Sequence, residues 1–190
     1  MGESPSQIED EPIIEIEYNC PIEEVSAFVL NTRAQDGSGR RTQFTPEQLR
    51  ERLQSFLDMP NAVEIILKRN REIVGCAFSY EQDEEGLKKE VPYVNFFTDK
   101  GDRVFKIREV NVDPQYRRKG FAQAMMEQLI VDLRQKGATK LVLSTYPEED
   151  DPANKLYKKL GFKEVAPNQE EHNYYMVYEY DSAENKKRGD

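Results

Sequence analysis

Residues 112–122, Val-Asp-Pro-Gln-Tyr-Arg-Arg-Lys-Gly-Phe-Ala, set three consecutive cations, a glycine and a small residue where one periodic pattern gives way to another. The run before them, 104–112, is rich in β-branched and aromatic residues with partial alternation, and predicts a strand. From Ala122 onward apolar residues fall at 122, 125, 126, 129, 130 and 133, the spacing of an amphipathic helix. A helix start offers unpaired N–H groups and the positive end of its dipole, so such a junction can grip phosphate oxygens. Small residues at 120 and 122 let a bulky anion approach the backbone. The chemistry to expect is a pyrophosphate cradle. Taken alone, Arg117, Arg118 and Lys119 also read as a solvated basic turn.

A second stretch, 151–162, adds a different group. Asp151 suits an N-cap, Pro152 the first helical position and Gly161 the residue just past the end, which predicts a short helix carrying Leu156 and Leu160 on one face. It follows the strand expected at 141–145. Tyr157 brings a phenol that can donate a proton or a hydrogen bond. Packing is the commoner role of a helical tyrosine.

Together the two stretches resemble the GNAT N-acetyltransferase superfamily. Arg117-x-x-Gly120-x-Ala122 is similar to its acetyl-CoA signature, with the usual entry in Val112-Asp113-Pro114-Gln115-Tyr116. Ala153-x-x-Leu156-Tyr157-x-x-Leu160-Gly161-Phe162 is similar to its second signature, and the likeness spans about residues 61–180. The resemblance implies an α/β (α+β) acyl-CoA N-acyltransferase fold with a mixed, mostly antiparallel sheet flanked by helices. It implies an enzyme that moves an acetyl group from acetyl-CoA to a primary amine by direct attack. Tyr157 would protonate the leaving sulfur, and Glu109, in the cradle's leading strand, would be the base. Acetyl-CoA would lie along Val110, Asn111 and Val112 and against Arg117, Arg118, Lys119, Gly120, Phe121 and Ala122, with Tyr157 again in contact. A β-bulge opens the gap beside that strand in the family. Asp150 stands where the family has an Asn that touches the pantetheine arm, and the residues before it are acidic. A non-catalytic acyl-CoA-binding or sensing module of the same fold is the alternative, and no metal is called for.

The whole chain narrows the classes further. At 190 residues it reads as one domain over 12–180, with a polar N-terminal end at 1–11 and a polar tail at 181–190. The net charge of -9 argues against a nucleic-acid partner, and an acidic surface favours a cationic acceptor, small molecule or protein. No apolar run approaches the roughly 18 residues of a membrane span, and no signal peptide is indicated, so cytoplasm is expected. Cys20 and Cys76 suggest neither a disulfide framework nor a metal site, Cys76 reading as a buried strand residue, and His172 is the single histidine. Neither a Gly-x-x-x-x-Gly-Lys-Ser/Thr nor a Gly-x-Gly-x-x-Gly pattern occurs. A homodimer is left open.

These groups need a scaffold. Strands are expected at 13–18, 63–68, 72–80, 103–112, 141–145, 162–165 and 174–180, and helices at 21–32, after the capping box Thr45-Pro46-Glu47-Gln48, from 122 and from 152. The order is βααβββαβαββ, a mixed-sheet layer fold. Residues 93–98 are expected to pair with 103–112 across the turn Asp99-Lys100-Gly101-Asp102, and 81–90 is a charged excursion. The tyrosines at 174, 175, 178 and 180 read as half core and half surface rather than as an acceptor pocket. The resemblance implies that the acceptor is chosen by the first two helices and the later loops, which here include residues 31–41, 81–90 and 169–175.

Overall fold

The computed structural model describes residues 14–35, 44–145, 151–168 and 173–181. The terminal segments, most of the loop after residue 35, Asp150 with Glu148 and Glu149 before it, and His172 lie outside them. The elements are β1 (Ile14–Glu17), α1 (Ile22–Gln35), α2 (Pro46–Leu57), β2 (Val63–Arg69), β3 (Glu72–Gln82), α3 (Glu84–Glu90), β4 (Val104–Val112), α4 (Phe121–Gln135), β5 (Lys140–Thr145), α5 (Pro152–Lys159), β6 (Lys163–Asn168) and β7 (Asn173–Glu179). The strands form one sheet in the order β1-β2-β3-β4-β5-β7-β6. Among the described strands, only β4 and β5 run parallel. The mixed, mostly antiparallel sheet is the one expected.

Helices cover both faces. Met125, Met126, Leu129 and Leu133 of α4 pack on Ile65, Phe105, Ile107 and Leu141 in the main core. On the other face Val25 and Val29 of α1 and Leu49, Leu53 and Phe56 of α2 pack on Ile66, Cys76, Phe78 and Tyr80. Thr45 and Gln48 form the capping box that starts α2, with Thr45 Oγ1 accepting from the Gln48 N–H at 3.2 Å.

Two expectations are corrected. Residues 93–98 form no strand, and a helix, α3, stands before them. β4 already has β3 on one side and β5 on the other, so no edge is left for a third partner. The N–H groups are satisfied locally instead: Val94 donates to Val91 O at 3.3 Å, Phe97 to Asn95 Oδ1 at 3.0 Å, and Thr98 and the following Asp99 to Asp102 Oδ2 at 2.9 Å each. The charged excursion is helical because Asp83 caps it and Glu84–Lys88 and Glu85–Lys89 pair at i,i+4 spacing, with Leu87 buried beneath. The order therefore gains one helix between the third and fourth strands.

Asp102 also holds the buried Lys140, whose Nζ lies 2.7 Å from Oδ2. Burial raises the Asp102 carboxyl, but the bonds from Lys140, Asp99 and Thr139 outweigh it and leave the pKa below the ordinary aspartate value. A pKa lower in the folded state gives stability that is present above the unfolded value, about 3.9, and is lost as pH falls through the folded one. Asp102→Asn should therefore remove part of the acid-induced loss of stability below about pH 4. Urea melts of both proteins between pH 2.5 and 6 check this; parallel curves would exclude a role for the pair.

Candidate active site

β4 changes phase half-way along. Phe78 faces Glu109 and Ser79 faces Ile107, so Arg108 is an extra residue without a partner on β3. One inserted residue shifts the alternation of faces by one. Phe105, Ile107, Val110 and Val112 thus all join the α4-side core. Arg108, Glu109 and Asn111 turn toward α1 and α2: Arg108 lies on the Phe56 ring, and Arg33 and Asn111 donate to Glu109 Oε1, Asn111 from 2.7 Å. The bulge also ends the pairing with β5, which runs only from Val104–Lys140 to Ile107–Leu143, while Ser144 and Thr145 pair with β7. Beyond Ile107 the two parallel strands diverge. The backbone edge of Val110, Asn111 and Val112 faces that gap.

The turn at the end of β4 is built to stay put. The Asp113 N–H donates to Val74 O on β3, Asp113 caps a short 3-10 turn over Pro114–Tyr116, and Arg117 Nε donates to Val112 O at 3.1 Å. The Tyr116 ring stands edge-on to Phe121 at 5.8 Å, with the cations of Arg69 and Lys119 each 5.4 Å from its centre. Arg118 and Gly120 have positive φ, 60° and 85°, and left-handed residues among ordinary ones make anion-binding concavities. Gly120 is the N-cap of α4 and supplies no side-chain cap, so among the described residues no side chain caps the first N–H groups of the helix. A Cβ on Gly120 would meet nothing within 4 Å. This is open space over bare amides at a helix start, and it fits a pyrophosphate. The Phe121 and Val112 side chains are buried in the core, so these residues offer backbone only.

Tyr157 is placed by how α5 ends. Gly161, at φ 96°, lets its N–H reach Lys158 O and the Phe162 N–H reach Tyr157 O at 3.0 Å, with the rings of Tyr157 and Phe162 5.9 Å apart. That is a Schellman ending with its hydrophobic contact, and it explains the spacing of Tyr157, Gly161 and Phe162. Tyr157 is buried, and its hydroxyl bonds to no described residue. Burial first, then the negative charges of Asp151 and Glu109, push its phenol well above the ordinary tyrosine value. It carries its proton at neutral pH, the state a general acid starts from.

Of the expected residues, the structure places Val110, Asn111, Val112, Arg117, Arg118, Lys119, Gly120, Phe121 and Ala122 in one continuous strand-turn-helix, with Glu109 on one side of the sheet and Tyr157 on the other. Asp150 lies outside the described residues. Cys76 is buried in β3 as expected, and burial raises its thiol pKa, as it raises that of Cys20 to about 11; neither is poised as a nucleophile. Arg33 is the residue that sequence reasoning missed. It lies 76 positions from Glu109, in a last turn of α1 beyond the predicted end at 32.

The sequence model of the acetyltransferase (GNAT) family matches residues 35–162. The chain belongs to the GNAT family. No curated protein matches it in sequence. Among solved structures, an acetyltransferase from Thermus thermophilus is 13% identical with a TM-score of 0.65, over 90% of this chain and 100% of that one. The ribosomal-protein-S18-alanine N-acetyltransferase from Escherichia coli is 18% identical with a TM-score of 0.57, over 87% of this chain and 91% of its own. The aminoglycoside N-acetyltransferase AAC(6')-Iy, solved in complex with CoA, is 17% identical with a TM-score of 0.62, over 84% and 93%. At these identities the GNAT fold is what is shared. No helix among the described residues is long and apolar enough to cross a membrane.

Proposed function

We propose that this GNAT protein is an acetyl-CoA-dependent N-acetyltransferase that acetylates a primary amine of a small molecule or protein. The observation that carries the reading is the gap between β4 and β5, with bare helix amides at one end and Glu109 and Tyr157 on its two sides. When bound, acetyl-CoA supplies the activated acyl carbon and a thiolate leaving group. The amides from Gly120 to Ala122 would hold the pyrophosphate, and Arg117, Arg118 and Lys119 would add positive charge. The strand edge at Val110 and Val112, released from β5, would pair with the pantetheine amides.

An amine arrives as an ammonium and must lose a proton before it attacks. Glu109 would accept that proton, directly or through a water, and Tyr157 would give its own to the departing sulfur. Each such group typically contributes about 10²–10⁴-fold, and alignment in the gap supplies the rest. Both groups are present, which supports an enzyme over a binding module.

The test is a panel of primary amines incubated with acetyl-CoA and followed by thiol release, with calorimetry of CoA binding in parallel. Thiol release that depends on the amine is the expected result. Binding of CoA without release from any amine would favour the binding module, and absence of binding would overturn the cradle.

A further inference from the structure

On the α1–α2 face, cations from three elements gather beside Glu109. Arg33 of α1 donates to its Oε1. Arg52 of α2 lies with its Cζ 5.2 Å from the centre of Phe56 and 5.3 Å from that of Phe44, and Arg108, from the bulge, lies 5.5 Å from the same Phe56 ring. Arg108 and the buried Lys106 share the carboxylate of Glu90. Arg33 thus has Glu109, Arg108 and Lys106 share Glu90, the buried Glu64 of β2 lies on the same face, and Arg52 has no ion pair among the described residues. The Nε atoms of Arg52 and Arg108 are shut off from solvent with no acceptor. Burial, then the charge of Arg108, lowers the Arg52 pKa from the usual arginine value. Stacking on Phe56 alone explains one arginine. Two like charges against one buried ring repel, and an anion shared by the parts of these half-exposed guanidinium side chains that reach solvent relieves that repulsion.

We infer that the amine acceptor also carries a carboxylate, held by Arg52 and Arg108 beside Glu109. The inference rests on the acetyltransferase reading for its acceptor and names the class: amino acids, or peptides with a free carboxylate near the amine. The net charge of -9 does not oppose it, because a diffuse surface field acts on the ammonium at range, whereas the guanidinium forks act at contact.

The experiment uses the full chain saturated with CoA. Calorimetry compares glycine, β-alanine, γ-aminobutyrate and diglycine, each with its own amide, which keeps the amine and removes the negative charge. At least one acid should bind tenfold or more tightly than its amide. Arg52→Gln and Arg108→Gln should each bring that pair to within about twofold, and Arg52→Lys should retain part of the preference; melting temperatures show that the variants fold. If no acid is preferred to its amide, or if the preference survives in both glutamine variants, the inference is overturned, and the wild-type comparison alone suffices for the first outcome. Thiol release with acetyl-CoA on the same pairs separates the two readings. A carboxylate preference in binding with no release from any probe removes the acetyltransferase while the anion site stands, whereas equal release from acids and amides removes only the carboxylate requirement.

Discussion

Gly120→Val should lose acetyl-CoA affinity by well over tenfold, or at least about 1.4 kcal/mol, together with a separate loss of fold stability. Two features of Gly120 separate those effects. Its φ of 85° strains any L side chain by roughly 1–2 kcal/mol, and this acts on the fold whether or not a ligand is bound. A Cβ built on it meets nothing within 4 Å, so a new side chain starts into open space beside the helix amides. Gly120→Asn is the companion variant, because Asn enters the left-handed region most readily among residues with a side chain. Its melting temperature should stay close to that of the wild type while affinity still falls. Calorimetry with CoA and acetyl-CoA measures the loss, and unchanged affinity in both variants would mean that the phosphates lie elsewhere.

Tyr157→Phe should lower kcat by about 10–10³-fold while leaving acetyl-CoA affinity nearly intact. The ring is buried against Phe162, and Phe preserves that contact, so folding should barely change. No described residue accepts a hydrogen bond from the hydroxyl, so its removal orphans no protein partner. What is lost is a proton held on a phenol whose pKa burial has raised, and that proton matters only as the thiolate departs. Turnover, cofactor affinity and melting temperature measured on one preparation separate the roles. A large drop in melting temperature would assign Tyr157 to packing, and undiminished kcat would assign the proton to solvent.

The parts of the site legible in the sequence are those whose geometry is local. A left-handed Gly120 at the start of α4 and the Asp151–Pro152 to Gly161 frame of α5 are each decided within a dozen residues. The turn at the start of α4 and the seat of Tyr157 could therefore be read directly. α3 was not legible because Leu87 is its one buried residue and shows no periodicity, while the i,i+4 ion pairs that support it look like a solvated charge run. The pairing expected at 93–98 failed for a global reason: both edges of β4 belong to other strands. Arg33, Arg52 and Arg108 meet through packing across the chain, and only the adjacent charges Arg108 and Glu109, breaking the alternation of their strand, hinted at it.

A strand is a two-letter message, each residue addressed to one side of the sheet or the other, and the unpaired Arg108 is where this message slips by one letter. Upstream of the slip, odd-numbered residues such as Phe105 and Ile107 speak to α4; downstream, even-numbered Val110 and Val112 do, and odd-numbered Glu109 and Asn111 are delivered to the opposite side. Deleting that single residue would leave the downstream letters on the sides they now occupy, because the residue removed is the one β3 leaves unpaired. Keeping it while the strand ran in strict alternation from Ile107 would do the reverse, sending Glu109 into an apolar interior and the valines toward the arginines. Point substitutions in β4 thus edit one side chain, whereas losing the bulge with Arg108 still present would readdress every residue from the slip to the end of the strand.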